Sequence, residues 1–445
     1  MTEPTELLAE LRDLAERGDL VAFCQRASEL HPSDLSDILV DLPADQRLTL
    51  VRSLPNDLVS EALAEMEPEE HPEDVLAALH PRDAAEIVGE LEDDDAADLI
   101  GELPEETATS ILAAVAERAE IERLLEYDEE SAGGIMTTAF VSVHETVNAD
   151  AAIDDIRRQA EEVEDFYQVY VVSTDGKPTG VLPLQKLVRS PADEIVRNIM
   201  EPIQAAVTPD EDQEEVARLM SRYNMASIPV VDASGVMIGR ITFDDVIDVV
   251  EAEQTEDLLK FSGGSGDEEL GAKWTQAVTK RLPWLMLNSV TASLSAGVVM
   301  IFGGAIERSI ALAALLPVVA GLGGNAGTQA LAVTVRRVSL GQIPSQRVGR
   351  VIAKELSVGI VNGLTMGVAV GLIAGLVFDR WLLGLIVLLA LWGNLIVAGG
   401  AGAAIPLLLE RMGIDPAVAS SVFVSALTDV CGYLLLLGLA ANLIL

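Results

Sequence analysis

Cysteine is nearly absent: the 445 residues contain two, Cys24 and Cys431, far apart in the chain, so neither a disulfide framework nor a cysteine zinc site is available. Of the four histidines, His31, His71 and His80 each precede a proline and none shows metal-ligating spacing, so they read as helix-boundary residues. No His, Cys or Ser constellation has catalytic spacing, which argues against an enzyme. The opening MTEPTELLAE lacks a basic, apolar targeting segment, so the soluble N-terminal part is expected in the cytoplasm. Positive charge is also scarce, 29 Lys and Arg against 71 Asp and Glu, a net charge of -42. Such a chain repels nucleic acid and attracts cations, so multivalent metal is the expected partner and nucleic acid is not.

The shortage is uneven. Residues 1–270 carry 18 basic against 65 acidic residues, a formal charge of −47, whereas 271–445 carry 11 basic against 6 acidic, +5, together with most of the long apolar runs. The apolar part is long enough for about five spans at roughly 20 residues each.

Residues 30–125 repeat with a period near twelve, as in LHPSDLSDIL, LPADQRLTLV, LPNDLVSEAL and LHPRDAAEIV. Each unit places a proline or acid near a first helical turn and apolar residues at helical spacing behind it, which predicts short stacked helices. A second repeat covers 135–250: VYVVSTDGKPTGVLPLQKLV (169–188) matches IPVVDASGVMIGRITFDDVI (228–247), and the stretch from Ile135 matches that from Ile199. Each copy reads as helix, β-branched strand, Gly-containing turn, strand and helix. These residues resemble a tandem pair of CBS domains, the Bateman module. The resemblance implies an adenine nucleotide such as ATP between the copies, with Thr242 and Asp245 of GRITFDD meeting phosphate and ribose and Tyr170 beside them. The first copy, with GVLPLQK, lacks the Thr and Asp pair.

From Thr242 to about Phe261 the apolar residues Val246, Val249, Val250 and Leu258 recur at helical spacing. The other faces hold Asp244, Asp245, Asp248, Glu251, Glu253, Glu256 and Asp257 with no lysine before Lys260. Like charges on neighbouring turns each cost a few tenths of a kcal/mol, so this helix needs a cation beside it.

Five stretches qualify as spans: about 282–303, 310–333, 356–378, 381–409 and 416–445. Lys273, Lys280 and Arg281 precede the first, and Arg336, Arg337, Arg347, Arg350 and Lys354 crowd the connection between the second and third, which marks the cytoplasmic side and sends Leu445 outside. Within the span interiors the sequence shows one ionisable residue, Asp429 in SALTDVCGYLLLL. A central Asp costs roughly 2.5–3.5 kcal/mol on insertion scales, so it must face protein, water or an ion. The second span contains PVVAGLGGNAGTQALAV, whose Asn325 and Gln329 fall on one helical face near four glycines, Gly321, Gly323, Gly324 and Gly327. That pattern suits either close helix packing or a polar lining.

PVVAGLGGNAGTQ and SALTDVCGY together resemble the membrane signatures of the MgtE magnesium channels, and the resemblance extends over nearly the whole chain. It implies a multidomain fold: an all-α helical-repeat N domain (1–130), an α/β tandem CBS module (131–198 and 199–243), a connecting plug helix and linker (244–270), and a five-span α-helical membrane domain (271–445). It further implies a homodimer in the cell membrane with the pore on its axis, lined by Asp429, with Gly321, Asn325 and Ser425 contributing. Mg²⁺ is implied as both cargo and regulator. The regulatory ligands carried over are Asp245, Asp248, Glu253, Glu256 and Asp257, with Asp415, Glu214, Glu61 and Asp94, the last from the run Asp93, Asp94, Asp95. Asn224 stands where the family can have an acid. Two other readings stay open: a proton-coupled transporter of another divalent cation such as Mn²⁺ or Co²⁺, and a membrane-anchored metal or nucleotide sensor without transport.

Overall fold

The repeated prolines and acids do start helices. The structure, a computed structural model, describes residues 10–443 apart from 12, 15–16, 28–29, 117, 161–162, 164–165, 167, 265–273, 340–342, 344–347 and 418–419. Lys273 and Arg347 of the basic connections lie outside the described residues. In the helices Pro32–Asp41 and Pro81–Val88 the preceding His31 and His80 are N-caps whose rings accept from the backbone N–H of Ser33 and Arg82, so these histidines do end-capping work. Within Pro32–Asp41, Leu35, Ile38 and Leu39 are fully buried at spacings of three and four, and each contributes about 1.5–3 kcal/mol of burial.

The chain divides into two units, Met1–Ala252 and Glu253–Leu445. In the first, strands β1 (Ser142–His144), β2 (Val169–Val172), β3 (Pro178–Leu182) and β4 (Glu201–Pro202) form one sheet in the order β1-β2-β3-β4, with only β1 and β2 parallel. Strands β5 (Ser227–Val231) and β6 (Met237–Thr242) form an antiparallel pair. The turns β2–β3 and β5–β6 each need a residue at positive φ, supplied by Gly176 (73°) and Gly235 (82°).

The two copies trade ends, which the sequence boundary at 198/199 does not capture. Residues 131–140, assigned to the first copy by sequence, bond to the second: Thr137 pairs with Arg240 of β6, and Met136 packs where a Cβ on Gly239 would stand. Symmetrically, Glu201 pairs with Val181 of β3, and Met200 fills the same position over Gly180. Sequence similarity identifies repeated units but not which sheet each end joins.

Among the described residues of the second unit, five helices are long and apolar enough to cross a membrane: Trp274–Ile301, Ile310–Ser339, Val348–Val377, Trp381–Arg411 and Ser420–Leu443. They extend past the apolar runs because a helix continues through its charged end turns, as Arg336 and Arg337 show. The third and fourth pack closely through Gly359, Gly363, Gly367 and Gly371, where an added Cβ would sit 2.5–2.9 Å from the partner's backbone.

Candidate ion pathway and acidic cluster

The helix Asp93–Gly101 opens with three aspartates that do different things. Asp93 accepts from Thr137 Oγ1 (2.6 Å), from the Thr138 backbone N–H (3.0 Å) and from the Thr138 hydroxyl. Its carboxylate is spent tying this helix to the CBS module and is not a free ligand. Asp94 is 8% exposed, and its Oδ1 has no partner among the described residues. Burial pushes its carboxyl well above the ordinary range, and the charges of Asp95 and Asp245 push the same way. Asp95 is pushed up to about 7, first by burial and then by Asp245.

Asp245 accepts from the N–H (2.9 Å) and hydroxyl (2.7 Å) of Thr242, a half capping box that starts the helix Phe243–Phe261. Its carboxyl is nonetheless raised by burial. Asp248 is raised by burial, then by Asp245 and Glu65. Asp94, Asp95, Asp245 and Asp248 therefore share one negative field, relieved in part by the buried guanidinium of Arg240, which attracts Asp245 and Glu92. Glu61 is exposed on the helix Asn56–Ala64, and Glu65, one turn later, is the residue of that region that acts on the field. Glu214 is exposed in a first helical turn, behind the N-cap Asp212. Asn224 adopts φ 53°, ψ 51° as the C-cap of the helix Gln213–Tyr223, a left-handed position that suits an amide better than most side chains.

The expected nucleotide contacts are otherwise engaged. Thr242 and Asp245 bond to each other, and Tyr170 is fully buried with its hydroxyl on Ser227, its pKa pushed up to about 12 by burial. Tyr170 is thus a packing residue between the two copies rather than an open ligand contact.

In the second unit the lone lysine of the acidic helix supplies the missing cation. Lys260 Nζ lies 2.5 Å from Glu256 and 2.7 Å from Asp415, and these bonds hold its pKa up against burial. Asp415 Oδ1 also accepts from the Ala417 N–H (2.8 Å), so both its oxygens are engaged. Asp257, raised by burial and then by Asp415, accepts from Ser339 (3.2 Å), and Glu253 is half-buried. Among the described residues no three Asp, Glu, His or Cys side chains converge as a ready cation cage.

The raised carboxyls make stability depend on pH. Between about pH 4 and 7 the folded protein holds protons that the unfolded chain has released, so stability falls as pH rises through that window. A fragment of the first unit melted in EDTA should lose about 3 kcal/mol or more between pH 5 and pH 8. Millimolar Mg²⁺ at pH 8 should restore much of it; a flat or rising profile in EDTA opposes this electrostatic picture.

Asp429, on the fifth membrane helix, is half-buried and faces a groove of about 470 Å³ lined also by Ala292, Ser295, Ala296, Val299, Met300 and Tyr433. No hydrogen-bond partner of its carboxylate is found among the described residues, and the neighbouring Thr428 hydroxyl donates instead to Ser425 O (2.9 Å). Ser425 lies one turn from Asp429 on the same face. Ser295, not singled out by sequence, is 5% exposed in that groove, and its Oγ has no partner among the described residues.

The second membrane helix separates the two readings of its glycines. Gly323 and Gly327 are buried against Asn394, Thr428 and Val424, whereas Gly321, Asn325 and Gln329 form an exposed face, and nothing lies within 4 Å of a Cβ added at Gly321 or Gly324. Packing and polar display thus occupy opposite sides of one helix. Gly321 and Asn325 do not line the Asp429 groove within one chain. The membrane helices also hold a more deeply buried acid than Asp429: Glu355, whose side chain is 8% exposed, lies in Val348–Val377 with Lys354 Nζ at 3.3 Å. The apolar run starts after Glu355, so hydropathy alone places this acid outside the span.

Family models match in the same order along the chain: the MgtE intracellular N domain over residues 30–130, the CBS domain over 132–193 and 196–252, and the divalent cation transporter MgtE over 316–439. The magnesium transporter MgtE of Thermus thermophilus is 34% identical, with 99% of each chain covered. That of Bacillus subtilis is 31% identical over 99% of this chain and 98% of the relative. A solved cytosolic domain of the Mg²⁺ channel MgtE in complex with ATP is 35% identical, with a TM-score of 0.51 over 54% of this chain and 99% of that one. With N domain, paired CBS domains and five membrane helices in this order, the chain belongs to the MgtE family of magnesium transporters, a membrane transporter family rather than an enzyme family.

Proposed function

We propose that two copies of this chain form a Mg²⁺ channel for magnesium uptake, with Asp429 of each facing the ion path. The observation that carries this is a carboxylate, unpartnered among the described residues, facing a groove of about 470 Å³ among apolar membrane helices. Mg²⁺ sheds water reluctantly, and conduction needs binding weak enough to release the ion. Two carboxylates across a two-fold axis balance one divalent charge, and retained waters reach backbone oxygens. The uncovered polar face at Gly321 and Asn325 supports a second copy, because exposed amides on a lipid-facing helix are costly. In this reading the N-terminal domains lie in the cytoplasm and the C-terminus outside, which the basic turns and the five spans support.

Cytosolic Mg²⁺ closes this channel in the proposed account. It neutralises the field of Asp94, Asp245 and Asp248; the plug residues Glu253, Glu256 and Asp257 are further acids assigned to closure, as are Glu61, Glu214 and Asp415. Asp415 contributes only when Lys260 releases it. An adenine nucleotide is a second ligand by likeness to the ATP-bound relative, and its binding at Thr242 requires the Thr242–Asp245 bond to open.

The test is Mg²⁺ uptake into liposomes by the purified protein with and without a proton gradient. Equal uptake in both supports a channel; uptake that needs the gradient supports a proton-coupled carrier, and none at all supports a sensor.

A further inference from the structure

Both membrane signatures contain a glycine whose Cβ position is taken by the same side chain. Asn394, in the middle of the fourth membrane helix, is fully buried. A Cβ built on Gly323 of the second helix would overlap Asn394 Nδ2, and one built on Gly432 of the fifth would stand 2.7 Å from the same atom. Both approaches are closer than 3.0 Å, so a residue other than glycine at either position forces the amide to move. Nδ2 donates to Val319 O (3.2 Å) on the second helix, while Oδ1 has no partner among the described residues. Thr428, also fully buried, lies beside the same point, 3.4 Å from the Cβ position of Gly323.

A buried amide with an orphan oxygen is destabilising, whereas a leucine, similarly branched, would leave no orphan. A chain optimised for stability alone has no reason to keep it. The amide sits where the second, fourth and fifth helices meet, and its contact Gly432 is three residues from Asp429. An α-helix turns about 100° per residue, so a slip of a fraction of a residue at Gly432 swings the Asp429 carboxylate away from its groove.

We propose that Asn394 is a positioning residue for ion selection: it pins the second helix to the fifth and thereby fixes the rotation and depth of Asp429. This rests on the reading of Asp429 as the pore acid. Loss of the pin changes which ion fits, not only how much protein folds. A lesion confined to folding lowers all fluxes in proportion and leaves their ratio alone.

The experiment measures Mg²⁺ and Ca²⁺ flux through the full-length protein in liposomes for Asn394→Ala, Asn394→Leu, Gly432→Ala and the double variant Asn394→Ala with Gly432→Ala. Asn394→Leu opens no cavity and carries the test if the alanine variant does not accumulate. The expected result is a Mg²⁺ flux at least about tenfold lower per reconstituted protein and a changed Mg²⁺ to Ca²⁺ ratio, with the double variant no worse than Asn394→Ala because both act on one contact. An unchanged ion ratio, whatever the absolute flux, overturns the proposal. Asp429→Ala runs alongside. Full flux from that variant overturns the pore reading and this inference with it, whereas its loss beside an unchanged ratio in the Asn394 variants overturns this inference alone.

Discussion

Asp429→Ala should bring Mg²⁺ flux to background, a fall of at least about 100-fold at equal protein in the membrane. One carboxylate about 4 Å from a divalent ion attracts it by roughly 8 kcal/mol at an effective dielectric near 20. A retained water between them reduces that severalfold, yet a residue of about 3 kcal/mol still corresponds to about 100-fold. Because no described group shares the carboxylate, nothing nearby takes over its charge. Asp429→Asn keeps the size and removes the charge, so it should fall with the alanine variant. Asp429→Glu keeps the charge one methylene further out and should retain measurable flux. An alanine variant conducting within twofold of the unsubstituted protein refutes the assignment.

Removing charge from the cytoplasmic cluster should have the opposite sign. Asp94→Asn, Asp245→Asn and Asp248→Asn together relieve the repulsion that makes a cation necessary, so, on the proposed function, the variant should keep conducting at cytosolic Mg²⁺ concentrations that would close the unsubstituted protein. The inhibitory concentration should rise by at least about tenfold, since ligand charge count sets divalent affinity. Protons should act in the same direction. Burial raises the Asp94, Asp95 and Asp245 carboxyls, Asp95 to about 7, so acidification protonates them and Mg²⁺ loses its partners. Inhibition by Mg²⁺ should therefore weaken between pH 8 and pH 6. Unaltered inhibition in the triple variant indicates that the closing ion binds elsewhere.

Much of this is legible in the residues because periodicity and charge are local. The twelve-residue repeat, the paired CBS pattern and the five apolar runs each announce their elements, and Asp429 stands out against leucines by composition alone. What escapes the sequence depends on partners distant in the chain. Asp93 and Asp94 are neighbours of identical type, yet one is anchored by Thr137 and Thr138 while the other is buried without a described partner for Oδ1. Lys260 is one residue in an acidic helix, and only the fold brings it to Asp415, 155 positions away. Tyr170 matches a ligand-facing position by resemblance, but the fold buries it with its hydroxyl on Ser227. Asn394 sits in an apolar run with no pattern around it, and its meaning comes from two glycines on two other helices.

On the proposed function, one carboxylate per chain passes the ion and the cytoplasmic acids sense it. Recording Mg²⁺ current from the unsubstituted protein in a planar bilayer, while stepping Mg²⁺ on the cytoplasmic side from micromolar to millimolar with no proton gradient, tests it most directly. The account predicts current at low cytoplasmic Mg²⁺ that shuts as Mg²⁺ rises and returns on chelation. Current indifferent to cytoplasmic Mg²⁺, or absent without a proton gradient, would contradict it.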